Sequence, residues 1–164
     1  MIAFLKAATS EHFTSVEMLA EAIWREHYTS IIGKPQVDYM LNKFQSAKTI
    51  KQQVLEGYHY YILMFDNKAV GYIAIKKEDQ DLFLSKIYLL KSQRGKGFGK
   101  SAIVFIENKA NEWGCNSISL TVNKGNTNSI KAYENLGFKH LGAIVIDIGN
   151  GFVMDDYKMK KVLL

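Results

Sequence analysis

The stretch "SQRGKGFGKS", residues 92–101, interleaves three glycines with Arg94, Lys96 and Lys100. Glycines let backbone N–H groups approach an anion without side chains in the way. A helix starting at such a loop adds the positive end of its dipole, so the chemistry suggested is phosphate binding. About thirty residues on, "NKGNTNSIKAYENLGF" (123–138) carries Asn126, Ser129 and Tyr133. A phenol has an ordinary pKa of about 10, so Tyr133 holds its proton at neutral pH and can donate it. A late strand carries the adjacent pair Asp155 and Asp156. Neighbouring strand residues point to opposite faces, so only one of that pair can readily face a given site.

Spacing separates the possible phosphate loops. A Walker A loop, G-x-x-x-x-G-K-[ST], would end well at Gly99-Lys100-Ser101 but needs glycine at residue 94, which is arginine. A dinucleotide fingerprint, G-x-G-x-x-G, fits Gly95 and Gly97 but needs glycine at 100, which is lysine. A third pattern, [QR]-x-x-G-x-[GA] between a strand and a helix, is met by Arg94, Gly97 and Gly99. Taken alone, the loop also fits a glycine-rich surface turn with solvated lysines. Tyr133 alone also fits a packed core aromatic, and Asn126 a helix-start cap.

The elements that must position these residues follow from periodicity. "IAFLKAA" (2–8) reads as a strand. A helix follows with Ser10 as its expected cap, stopped near Gly33, and Pro35 suits the first turn of the next helix. Residues 36–56 supply one or two more helices. "YHYYILMF" (58–65), "AVGYIAI" (69–75) and "LFLSKIYLL" (82–90) read as strands joined by turns at "DNK" and "EDQD". After the glycine loop, Ala102, Ile103, Ile106, Ala110 and Trp113 recur at helical spacing. "SISLTV" (117–122) alternates as a strand, 126–136 forms a short helix, and 141–148 and 152–159 make a final hairpin. The order implies an α/β (α+β) domain over residues 1–164 around one mixed sheet. Its ends are antiparallel, and a right-handed parallel crossover from 82 to 122 lies near the middle.

Composition narrows the function classes. The net charge of +5 is scattered apart from the glycine loop, with no basic helix interleaved with aromatics, so nucleic acid is not an expected partner. No apolar run is long enough to span a membrane. "MIAFLKAATSEHF" lacks the features of a signal peptide, and Cys115, the single cysteine, has no disulfide partner in the chain. Together these place the expected site of action in the cytoplasm. No Cys/His cluster has zinc spacing, so no metal is expected.

The two motifs together resemble those of the Gcn5-related N-acetyltransferase (GNAT) family. Arg94, Gly97 and Gly99 correspond to its pyrophosphate loop. Asn126, Tyr133 and Gly137-Phe138 correspond to its second signature, in the right order and on the right elements. The later half of the chain, above all "DIGNGFVMDDY" (147–157), is similar to the PaiA-type spermidine/spermine acetyltransferase subgroup. The resemblance implies a GNAT-like acyl-CoA N-acyltransferase fold, its central sheet mostly antiparallel with the parallel crossover at the cofactor site. It also implies acetyl-CoA as co-substrate and direct transfer to a primary amine.

It further implies roles. The loop Arg94, Gly95, Lys96, Gly97, Phe98, Gly99 and Lys100 would hold the pyrophosphate. Backbone in Ile87, Tyr88 and Leu89 would polarise the thioester. Asn126 and Ser129 would contact the pantetheine arm, and Tyr133 would protonate the leaving thiolate. Glu26, His27, Asp155 and Asp156 are candidates for the acceptor side, with the base not singled out. A polyamine acceptor calls for several converging acids, drawn from Glu21, Glu26, Asp147, Asp155 and Asp156. The alternatives are a protein N-terminus, a lysine or another small amine as acceptor, or a non-catalytic acetyl-CoA sensor. A homodimer through the last strands is also implied.

Overall fold

The computed structural model describes residues 1–163. Its seven strands form one sheet. The elements, in chain order, are β1 (Ala3–Lys6), α1 (Ser10–Ile32), α2 (Lys34–Phe44), α3 (Ala47–Leu55), β2 (His59–Phe65), β3 (Lys68–Glu78), β4 (Asp81–Leu89), α4 (Phe98–Glu112), β5 (Ser117–Asn123), α5 (Thr127–Asn135), β6 (Lys139–Gly149) and β7 (Phe152–Val162). The spatial order is β1-β2-β3-β4-β5-β7-β6. All neighbours are antiparallel except β4 and β5.

The central strands read as continuous apolar runs because both faces of the sheet are covered. On β2 and β3, Tyr60, Ile62, Tyr72 and Ala74 point into a layer formed with α1, α2 and α3. The alternate residues Tyr61, Leu63, Ile73 and Ile75 point into a second layer with α4 and α5. The β2–β3 turn places Asp66 and Asn67 at φ of 55° and 62°, the left-handed pair that matches the twist of a tight hairpin.

The first helix starts at its expected cap residue, so the cap lies one residue earlier. Thr9, rather than Ser10, is the N-cap: its hydroxyl accepts from the His12 N–H, and the His12 ring accepts in return from the Thr9 N–H. Both residues carry hydroxyls, and the reach of the His12 ring decides between them. Gly33, at φ 86°, ends α1, and Pro35 lies in the first turn of α2.

Two irregularities shape the middle of the sheet. β4 and β5 are paired only at Asp81–Ser117, Leu82–Ile118 and Phe83–Ser119. Beyond Phe83 they diverge. On its other side β4 stays bonded to β3 up to Leu89, with a bulge where Ile75 faces Leu84 and Ala74 faces Lys86. Ser85 is therefore an extra residue, and bulges increase local bend and twist.

Gly71 holds this segment in place. A Cβ there would lie 2.3 Å from the Tyr88 carbonyl oxygen and 2.9 Å from the Leu89 side chain. Backbone cannot yield as a side-chain tip can. Gly71→Ala is expected to destabilise the fold by about 1–3 kcal/mol, read as a lowered urea midpoint. An unchanged midpoint would show that β3 and β4 are not held this close.

Candidate active site

The divergence of β4 from β5 opens a cleft of about 610 Å³. Leu84–Leu89 of β4 line one side and Leu120–Asn123 of β5 the other. The loop before α4 closes one end, α5 lies over the cleft, and α1, α2 and β7 wall the opposite end. Strand backbone that would otherwise pair across a sheet is thus turned toward a ligand-sized space.

The glycine loop reaches the cleft by its first helical turn. Gly97, at φ 80°, is the N-cap of α4, and its carbonyl accepts from Ser101. The N–H groups ahead of Ser101 lie in the helix's first turn, where no intrahelical partner exists. Arg94, Gly99 and Lys100 line the cleft beside them. A Cβ at Gly99 would meet only the tip of Leu89, at 3.9 Å, so its bareness leaves room for a ligand rather than for protein. Free N–H groups, a helix dipole and two cations are a donor set suited to a pyrophosphate.

Four residues of the loop do not line this cleft. Phe98 is buried and stacks obliquely on Phe65 at 4.8 Å, anchoring the loop to the core. Gly95, at φ 78°, and Gly97 supply left-handed turns. The Lys96 ammonium donates to the Gln93 side chain at 3.1 Å.

The remaining expected residues that line the cleft arrive from four elements. Ile87, Tyr88 and Leu89 come from β4, and Ser129 and Tyr133 from α5, with Asn126 at its N-cap. His27 comes from α1 and Asp156 from β7. Asn126 is buried, and its side chain links two neighbours in α1. His27 Nε2 donates to its Oδ1 at 3.2 Å, and its amide donates to the Tyr28 hydroxyl at 3.3 Å. Burial lowers the His27 pKa, so the ring is neutral at pH 7. Tyr133 packs against the second core layer and against Phe138, with ring centroids 5.7 Å apart. Burial, reinforced by the nearby Tyr28, raises its pKa and keeps the phenol protonated. Its hydroxyl has no hydrogen-bond partner among the described residues, whereas Tyr28 is engaged by Asn126 and faced by Tyr88.

The aspartate pair divides as strand alternation requires. Asp156 is 3% exposed and faces the cleft. Asp155 turns outward to an ion pair with Lys124 at 2.8 Å. Burial raises the Asp156 pKa to about 6, against the opposing pull of the Thr121 hydroxyl. Glu26 is exposed and lines a small hollow with Lys91 and Thr127 that adjoins the cleft at His27, Arg94 and Asn126.

Trp24, Tyr28 and Lys86 also line the cleft and were not singled out in the sequence. Trp24 and Tyr28 lie one turn apart on α1, with ring centroids 4.5 Å apart. Lys86 was visible as a charge inside the apolar run "LFLSKIYLL". Simple alternation would put it on the face of Leu82 and Leu84. The Ser85 bulge turns it to the other face, where its ammonium donates to the Phe44 carbonyl at 3.0 Å, the Gln53 side chain and the Tyr60 hydroxyl. No carboxylate among the described residues offsets its burial, and its pKa is lowered to about 7.

The comparisons with known proteins agree on one family. The model of the acetyltransferase (GNAT) family matches residues 16–138. The chain belongs to the GNAT family. It is 29% identical over 157 residues to an uncharacterized N-acetyltransferase from the pepI 3' region of Lactobacillus delbrueckii subsp. lactis, covering 87% of this chain and 90% of that one. An uncharacterized N-acetyltransferase of Mycobacterium tuberculosis is 33% identical over 94 residues, 54% of this chain and 60% of that one. The PaiA N-acetyltransferase of Thermoplasma acidophilum, solved with coenzyme A, superposes with a TM-score of 0.82 over 99% of both chains at 18% identity. The ribosomal-protein-S18-alanine N-acetyltransferase of Escherichia coli does so at 0.74, over 99% of this chain and 94% of that one, at 16% identity. The two structures share the fold and differ in their named activities. This GNAT chain is therefore an acetyl-CoA-dependent N-acetyltransferase.

The Lys86 environment predicts a pH dependence of stability. Folded Lys86 loses its proton near pH 7, whereas an unfolded lysine keeps it to about pH 10.4. Between these values the unfolded chain binds more protons, so stability rises with pH. Urea midpoints are expected to climb from pH 7 to 10 in the native protein, and less steeply in Lys86→Met. Parallel pH profiles for the two would show that Lys86 is not buried without a counter-ion.

Proposed function

We propose that this chain transfers the acetyl group of acetyl-CoA directly to a primary amine within the cleft between β4 and β5. The observation that supports this reading is the convergence of three things on that cleft: the first turn of α4, an unengaged phenol and a buried carboxylate. Acetyl-CoA as donor accords with the donor set at the loop, where Arg94, Lys100 and the free N–H groups suit the pyrophosphate. Asn126 and Ser129 line the path that a pantetheine arm would follow. Backbone in Ile87–Leu89, freed from pairing with β5, supplies N–H groups for the charge that develops on the thioester oxygen.

The proton inventory then assigns two side chains. Asp156 draws the acceptor's ammonium into the cleft, where it releases one proton to solvent. The neutral amine then attacks the thioester carbonyl, and Asp156 takes the second proton as the C–N bond forms and the nitrogen becomes acidic. Tyr133 gives its proton to the sulfur as the C–S bond breaks. The products are an N-acetylated amine and free thiol, and both side chains recover their starting states by proton exchange with solvent. His27, neutral and bonded to Asn126, acts as a positioning residue.

The later-half resemblance to the PaiA-type subgroup is the ground on which a polyamine acceptor would rest. Of the acids that reading would draw on, Asp156 alone lines the cleft.

Steady-state thiol release tests these roles. Tyr133→Phe is expected to lower kcat by roughly 10²–10⁴-fold while acetyl-CoA affinity stays within about threefold. An undiminished kcat would remove Tyr133 from the acid role. In the native enzyme kcat/KM should fall as pH drops through about 6, because protonated Asp156 neither attracts an ammonium nor accepts a proton. That limb should disappear in Asp156→Asn. A limb that persists there would assign the base elsewhere.

A further inference from the structure

We infer that the acceptor is a small monoamine with an apolar body, aromatic or aliphatic, rather than a polyamine. This inference rests on the acetyl-transfer reading and specifies its second substrate.

The acceptor end of the cleft is walled by Trp24, Tyr28, Ile32, Met40, Tyr88 and Met154. Trp24, Tyr28 and Tyr88 form one aromatic group, with centroids 4.5 Å, 5.5 Å and 6.2 Å apart. Met40 is buried, and Met154 packs against the same layer. Such a wall favours flat or aliphatic groups. Asp156 is the single carboxylate among the residues that line the cleft.

Every other acid that could have met a second ammonium is engaged or displaced. Glu21 and Asp38 are both bound by Arg25, and Asp38 also by Lys34 at 2.9 Å. Glu17 accepts from the Ala47 N–H at 2.7 Å. Asp147 accepts from the Gly149 N–H at 2.8 Å, in the β6–β7 turn. Asp155 is paired with Lys124 on the outer face of β7, and Glu26 lines the adjoining hollow together with the cations Lys91 and Arg94. The cations that line the cleft are Lys86, Arg94 and Lys100. Bound coenzyme phosphates would neutralise the last two, and Lys86 loses its charge near pH 7.

A polyamine would leave its second ammonium among apolar side chains without a counter-ion, a costly arrangement. A monoamine places its one charge at Asp156 and its body on the wall. Met154 lies two residues before Asp156, on the same face of β7. It therefore stands where a second carboxylate would have to be.

The test measures thiol release and product formation with acetyl-CoA against phenethylamine, hexylamine, putrescine, spermidine and a short alanine-terminated peptide. Acetyl-CoA binding is followed separately by calorimetry. The two monoamines are expected to exceed the polyamines and the peptide by roughly tenfold or more in kcat/KM. Met154→Glu is expected to move the spermidine-to-hexylamine ratio roughly tenfold toward spermidine. Native preference for a polyamine or for the peptide would overturn the monoamine inference and leave acetyl transfer intact. Acetyl-CoA binding with no turnover of any amine would overturn the transferase reading and this inference with it. Because the native panel decides by itself, a Met154→Glu variant that failed to fold would not rescue the inference.

Discussion

Three residue pairs hold β4 to β5, and then the strands part. Much of the structure around the site follows from that divergence. A parallel pair normally continues until its strands end, because unpaired backbone inside a protein costs free energy. Here β4 keeps its bonds to β3 as far as Leu89, and the Ser85 bulge adds local bend and twist. Gly71 lets β3 follow β4 closely enough to keep that half of the ladder intact. The other half is left open along a cleft. The glycine loop that leaves β4 must then turn back into α4, and this aims the first turn of α4 at the mouth of the same cleft.

The electrostatics of the cleft share one cause. Burial works against charge, so it raises Tyr133 and Asp156 and lowers His27 and Lys86. A phenol that keeps its proton suits a proton donor. A carboxylate whose pKa lies near 6 is ionised at neutral pH, yet more basic than a surface aspartate, which suits a group that must both attract and accept. Asn126 ties these features to the scaffold, since its amide bridges His27 and Tyr28 of α1 across to the start of α5. A shift of α1 would therefore be felt at the cap of the helix that carries Tyr133.

Much of this was legible in the sequence because it rests on local rules. The strand and helix order, the hairpin turn at Asp66-Asn67, the stop at Gly33 and the left-handed glycines of the loop all come from patterns a few residues long. The division of Asp155 from Asp156 follows from strand alternation alone, although which of them faces inward depends on the pairing of β7 with β5. The illegible parts depend on tertiary placement. Trp24 and Tyr28 looked like any apolar face of a helix until α1 was laid across the sheet. Simple alternation along β4 points Lys86 to the wrong face, since a bulge leaves no mark on residue types. Lys96 and Phe98 fit the loop motif by position, and their side chains meet Gln93 and Phe65. The acids of α1 and the last hairpin could be counted, but whether they converged could not.

The central claim is that the gap between β4 and β5 is the site of acetyl transfer, with Tyr133 at the thioester. A crystal structure of the acetyl-CoA complex tests it most directly. The account predicts the pyrophosphate on the first turn of α4, the pantetheine arm between Ile87–Leu89 and Asn126, and the sulfur within hydrogen-bond reach of the Tyr133 hydroxyl. A coenzyme bound outside this gap, or a sulfur well beyond the reach of Tyr133, would contradict it.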